Sequence, residues 1–129
     1  MFKDSNVFSS FSVNDIEAAK QFYSEVLGLQ VSDNPMGVME LHTKGNSNIM
    51  VYPKPDHQPA TFTVLNILVT DLQLAVDAMI IKGITFEQYH NEYLNTDDKG
   101  IMRSDGHGPD IAWFKDPAGN ILSLIEERM

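Results

Sequence analysis

The chain has no cysteine. Disulfide frameworks, thiolate zinc sites, iron–sulfur clusters and a cysteine nucleophile are therefore excluded. It is also poor in positive charge: 9 lysines and arginines stand against 18 aspartates and glutamates, a net charge of −9. Nucleic acid and anionic membranes call for a basic patch, so neither is expected as a partner. The acidity suits a cationic ligand; its plainer meaning is solubility. No apolar run approaches the roughly 20 residues that span a bilayer. The opening residues, MFKDSNVFSS, carry neither a basic n-region nor an apolar h-region. No signal peptide is read there, and a cytoplasmic location is expected. Two motif classes are missing as well. GNSN and DGHG match neither nucleotide-binding glycine fingerprint, and no Gly-x-Ser-x-Gly elbow occurs.

The remaining composition is ordinary for one globular domain, with 129 residues, 43% hydrophobic and 21% charged. Such a length buries about two thirds of its unfolded surface and needs no staple to fold. Within it, one pattern occurs twice. Val7 to Val13 alternates as a strand, with Asn14 as N-cap and Glu17 three residues on. Ile16, Ala19, Phe22, Tyr23, Val26 and Leu27 then recur at helical spacing until Gly28, and Leu29 and Val31 resume an extended stretch. Phe62 to Val69 opens the second copy, with Thr70 as N-cap and Gln73 closing the box. Leu72, Ala75, Val76, Met79 and Ile80 form its stripe, Gly83 ends it, and Ile84 to Gln88 reads as the next strand. Asp15 and Asp71, which open the two helices, lie 56 residues apart, about half the chain.

After each helix the pattern stays extended. Val38 to Thr43 and Asn48 to Tyr52 read as strands around Gly45-Asn46, and residues 53–60 carry three prolines and serve as a linker. Ile111 to Lys115 and Ile121 to Glu126 read as strands joined by the turn Asp116-Pro-Ala-Gly-Asn120. Residues 95–110 read as a long loop, with room for a short strand at Ile101 to Arg103. The expectation is an α+β chain of two tandem βαβββ modules, 7–52 and 61–127, acting as a single domain over 1–129.

Three segments together carry a resemblance: FSVNDIEAAKQFYSEVLGL, VTDLQLAVDAMIIKGI and DIAWFKDPAGNILSLIEE. In order and spacing they resemble the two module openings and the closing strand–turn–strand of the vicinal oxygen chelate superfamily. That superfamily includes glyoxalase I, extradiol dioxygenases, fosfomycin-resistance transferases and bleomycin-binding proteins. The resemblance runs from about Val7 to Glu127 and implies paired modules whose sheets form a curved mixed sheet around a cup. In the family's enzymes the cup holds a divalent metal on His, Gln or Glu from four strand positions, leaving sites for a substrate's two neighbouring oxygens. Carried over residue by residue, those positions fall on Phe8, Val64, Ser123 and, less directly aligned, Met50. Phe and Val have no donor atom, and Ser and Met are poor ligands for a hard or borderline divalent ion. Neither a metal nor a cofactor is expected here.

Period-two alternation places Phe8, Ser10 and Ser12, Val64, Asn66 and Leu68, and Ile121, Ser123 and Ile125 on the inner face. A largely apolar wall with a few neutral polar groups suits a small-molecule pocket. The expected ligand-contacting set is Phe8, Ser10, Met50, Val64, Asn66, Trp113 and Ser123. Asn66 either orients a ligand or bonds a neighbouring backbone group; Trp113 either stacks on a planar or cationic ligand or serves as a core aromatic. His42 shares a strand face with Glu40, a pairing fit for a general base, although an exposed polar face is the plainer reading. His57 sits in the linker and reads as solvated; His107 reads as a turn residue or a ligand contact. The favoured function is metal-free binding of a small organic compound, cationic or aromatic, by a homodimer resembling bleomycin-resistance proteins. The alternatives are a metal-dependent lyase, isomerase or dioxygenase using Glu40, His42 or His107, and a dimer scaffold with a vestigial cup.

Overall fold

The computed structural model describes residues 1–45, 48–104, 106 and 108–127. Two compact units make up the chain, Met1–Pro59 and Ala60–Met129. In the first, β1 (Ser10–Val13) leads into α1 (Ile16–Gln21), which runs on into a π-helical turn (Phe22–Val26). β2 (Gln30–Asp33), β3 (Met39–His42) and β4 (Ile49–Pro53) follow. The second unit repeats the plan with β5 (Thr63–Val69), α2 (Leu72–Ile81), β6 (Ile101–Met102), β7 (Ile111–Lys115) and β8 (Ile121–Glu126). The strand orders correspond, β1-β4-β3-β2 and β5-β8-β7-β6, so each unit is a four-stranded mixed sheet with one helical segment. In each, the first strand runs parallel to the last and the other pairs are antiparallel. The chain is α+β, a tandem of βαβββ modules.

One face of each sheet is buried. Phe11 and Val13 of β1, Met39 and Leu41 of β3 and Val51 of β4 are buried, as are Ala19 of α1 and Phe22 and Tyr23 of the π turn. The widened turn, closed by the Leu27 N–H on the Phe22 carbonyl at 3.0 Å, accommodates two adjacent buried aromatics. Their rings meet edge to face with centroids 5.3 Å apart. In the second unit Leu72, Val76 and Met79 of α2 are buried with Ile101, Ala112, Phe114, Leu122 and Leu124.

Several sequence expectations shift. Both helices start one residue later than the caps read from sequence. Asp15, not Asn14, accepts from the Glu17 and Ala18 N–H groups, at 3.1 and 3.2 Å. Asp71, not Thr70, accepts from the Leu74 N–H at 3.1 Å. A carboxylate satisfies the orphan donors and also suits the positive end of the helix dipole. Neither capping box closes. The Glu17 carboxylate pairs with Lys20, Gln73 accepts from Arg103, and the Leu72 N–H donates instead to Glu126 of β8 at 3.1 Å.

β1 and β5 begin at Ser10 and Thr63, later than the alternation suggests, while the last two strands, β7 and β8, match it residue for residue. Ile84 to Gln88 is not a strand. It buries Phe86 and ties to β7 through the Glu87 N–H on the Trp113 carbonyl, at 2.8 Å. The outer strand is β6, and Gly100, just before it, has φ +87°. A Cβ there would lie 2.6 Å from the Phe86 Cβ and 2.9 Å from the Glu87 carbonyl oxygen, so only glycine fits.

Candidate functional site

Register fixes what the other face of each sheet carries. In the first unit Ser10 pairs with Met50 and Ser12 with Tyr52 across β1 and β4. Glu40 pairs with Met50 across β3 and β4, and Ser32 with Glu40 across β2 and β3. Facing residues share a side, so Ser10, Ser12, Ser32, Glu40, His42, Met50 and Tyr52 stand together, opposite the buried face. Hydrogen bonds organise them. The Asn48 amide donates to Glu40 Oε1 at 3.0 Å. His42 Nε2 lies 2.6 Å from Ser32 Oγ, and His57 Nδ1 lies 2.7 Å from Ser12 Oγ. Two readings are thereby corrected. His42 is paired with a serine and not with the Glu40 carboxylate, and His57 is a part-buried partner of β1, not a solvated linker residue.

Phe8 precedes β1 and is 63% exposed. It nevertheless meets Met50 in a cavity of about 280 Å³, walled by Asn6, Val7, Phe8, Glu40, Asn48 and Met50. Of the first unit's expected contacts, these two come together; Ser10 lies on the same sheet face and is exposed.

In the second unit Asn66 pairs in register with Ser123, and Trp113 with Ser123, so the three side chains share one face. The fully buried Ser123 hydroxyl donates to Asn66 Oδ1 at 2.5 Å. Asn66 therefore has its partner in a side chain of the same face, where the sequence left backbone or ligand open. Trp113 meets the Tyr89 ring edge to face at 5.6 Å. Burial and then the Glu87 carboxylate push the Tyr89 phenol above its ordinary value, with Lys115 pulling the other way, so it stays a hydroxyl at neutral pH. Val64 falls in an irregularity of the β5–β8 register between Thr63 and Leu65, which breaks the alternation that assigned it to this face. A larger cavity of about 530 Å³ lies against Leu68, Pro109, Ile125 and Glu126; Leu68 and Ile125 pair in register on the same face, two residues beyond Asn66 and Ser123, and neither Trp113 nor Ser123 lines it. His107 lies outside the described residues.

The family's divalent ion finds no donors at these positions. Phe8 and Val64 offer none, Met50 offers a thioether, and the Ser123 hydroxyl is engaged with Asn66. Among the described residues no three of His, Cys, Asp or Glu cluster closely enough to hold a metal. Glu40 and His42, the alternative ligands, bond to different neighbours, Asn48 and Ser32, and no third ligating side chain among the described residues joins them. The described residues do not fit the ion. Sequence reasoning missed the Glu40–Asn48 bond and both serine–histidine pairs. The Ser32–His42 pair follows from the β2–β3 register once the strands are known.

The family model of the glyoxalase/bleomycin resistance protein/dioxygenase superfamily matches residues 8–124. No curated protein sequence matches the chain. Among solved structures, TnmS3, an antibiotic binding protein from Streptomyces sp. CB03234, is 22% identical, with 99% of each chain covered and a TM-score of 0.71. A putative glyoxalase family protein from Bacillus anthracis is 17% identical, covering 99% of this chain and 98% of that one, with a TM-score of 0.69. A superfamily member from Sphaerobacter thermophilus DSM 20745 is 20% identical, with 98% and 100% covered and a TM-score of 0.67. At these identities the likeness is one of fold.

Proposed function

Because the chain belongs to the glyoxalase/bleomycin resistance protein/dioxygenase superfamily, we propose that it binds a small organic compound, cationic or aromatic, and does so without a metal. The modules 7–52 and 61–127, joined by 53–60, act in this reading as one domain, in the cytoplasm and as a homodimer. The observation that carries the proposal is one of replacement. Where family enzymes place ligating side chains, this chain has Phe8, Met50, Val64 and Ser123, and two of these wall a cavity. An apolar wall with a few oriented polar groups recognises an organic body and gives a cation nothing to coordinate. The antibiotic-binding relative TnmS3 supports the same direction.

The proposed ligand-contacting set is Phe8, Ser10, Met50, Asn66, Trp113 and, at the β5 irregularity, Val64, with the buried Ser123 included as the residue that orients the Asn66 amide. Trp113 is the only tryptophan and is half-buried, so its emission reports on its own face. Calorimetric titration with glycopeptide antibiotics and with neutral and cationic aromatic compounds tests the reading. Saturable binding by at least one class, unaffected by a chelator, is the expected result. A panel with no saturable heat overturns it, as does binding that appears only after a divalent metal is added.

A further inference from the structure

We infer that Glu40 is the anchor for the ammonium group of an arylalkyl amine bound in the first unit's cavity. The inference rests on the small-molecule reading above and names the chemical class that this cavity selects. Of the six residues that wall it, Glu40 alone is ionisable. Val7, Phe8 and Met50 supply apolar wall, and Asn6 and Asn48 supply neutral amides.

The carboxylate is held in place from two sides. Its backbone belongs to β3, whose neighbouring residues Met39 and Leu41 are fully buried, so the strand cannot roll. Its side chain accepts the Asn48 amide on Oε1 at 3.0 Å. No other described side chain bonds or ion-pairs with it. An ionised carboxylate accepts about four hydrogen bonds, so one amide donor orients the group and leaves most of its capacity for a guest. Asn48 carries no charge and does not neutralise Glu40.

A negative charge beside apolar walls distinguishes guests by charge. Partial removal from water strengthens its attraction to a cation, and a primary ammonium answers with a short charge-assisted bond. An anion is repelled by Glu40 and by the protein's net charge of −9. The Phe8 ring and Met50 thioether favour an aromatic body for the rest of the guest, through ring packing and sulfur–ring contact.

Tryptamine and tryptophol are suitable probes, since they differ only in an ammonium against a hydroxyl. Full-length protein labelled at its methionine methyl groups is titrated with each at neutral pH, with Met50 assigned through Met50→Leu. Tryptamine is expected to move the Met50 methyl resonance and to bind about tenfold more tightly than tryptophol, the worth of one charge-assisted bond. In Glu40→Gln, which keeps an acceptor for Asn48, that advantage is expected to vanish. In the unmodified protein the advantage is expected to shrink at high salt, a readout that needs no variant. Equal binding of the two probes at Met50 overturns the anchor while leaving the organic-guest reading intact. So does a tryptamine advantage that survives Glu40→Gln. No movement of Met50 with either probe overturns the anchor too, whereas silence across the whole calorimetric panel overturns the broader reading.

Discussion

Asp116 is 5% exposed and sits in the turn between β7 and β8. Its Oδ1 accepts from the Ala118 and Asn120 N–H groups at 3.0 and 2.8 Å, and Oδ2 accepts from the Asn120 amide at 3.1 Å. Asn120 itself is 2% exposed, so its backbone and amide donors are shielded from water, while the Ala118 N–H is part-buried. Removing the acceptor therefore costs more than one exchanged hydrogen bond, because the buried Asn120 donors lose it where little water can replace it. Asp116→Ala is expected to lose about 2–4 kcal/mol of stability and to lower the melting temperature by roughly 10 °C. Differential scanning calorimetry measures it; a loss below about 1 kcal/mol would mean the turn holds without its aspartate. Ser123 presents the opposite case. Its partner Asn66 is exposed, so in Ser123→Ala the amide recovers a bond from water. The expected change is within about 1 kcal/mol, while the Asn66 amide resonances move because their neighbour is gone. A severe loss of stability would make Ser123 a structural residue and remove it from the ligand-contacting set.

At the scale of elements, the stretch before β6 is tied by Asp97. Its carboxylate accepts from the Lys99 and Ile101 N–H groups at 2.9 and 3.0 Å and from Arg103 at 3.3 Å. Burial pushes this carboxyl up, but the Ile101 and Lys99 donors and then Arg103 outweigh it, and the net position lies below the ordinary 3.8. A carboxyl depressed on folding contributes stability that is complete above its unfolded value and lost as pH falls through the folded one. The advantage of the unmodified protein over Asp97→Asn is thus expected at neutral pH and should narrow as pH drops from about 5 toward 3. Urea midpoints for the pair across that range decide it; a gap that stays constant would show the charge plays no part.

The same elements show what a sequence can carry. β7 and β8 are legible because clean alternation flanks a turn with its own chemistry, Asp-Pro-Ala-Gly-Asn. The helix starts are legible only to within a residue, since each copy offers two capping side chains side by side, Asn14-Asp15 and Thr70-Asp71. Ile84 to Gln88 alternates like a strand, yet its place beside β7 is set by the close approach of Gly100 to Phe86, a tertiary contact that no local pattern encodes. The candidate face divides in the same way. Phe8, Met50 and Ser123 come from the family positions that the resemblance carries over, and Asn66 from the strand period. Ser12 and His57 meet across 45 residues, and Asn48 reaches Glu40 across 8 in a strand turn, so both depend on folded geometry.

For the whole molecule, α2 poses a question that the single chain leaves open. Leu72, Val76 and Met79 bury one side of the helix, while Leu74 and Ile81 are 68% and 86% exposed. With the exposed Ala78 between them, they recur at positions i, i+4 and i+7 and form a second apolar stripe. A helix with apolar residues on two sides costs solubility unless the outer stripe is covered, and in the proposed homodimer a two-fold partner would cover it with the same residues. The small Ala78 at its centre allows close approach. A homodimer of about 29 kDa, twice the 14.5 kDa chain, is expected by light scattering. Leu74→Lys combined with Ile81→Lys adds like charges to both copies of the stripe and is expected to return the mass to 14.5 kDa with the helical signal unchanged. A chain that stays at 14.5 kDa throughout its concentration range sinks the dimer. One that stays dimeric in the double variant removes α2 from the interface, and the exposed Phe62 and Leu68 around β5 become the next surface to charge.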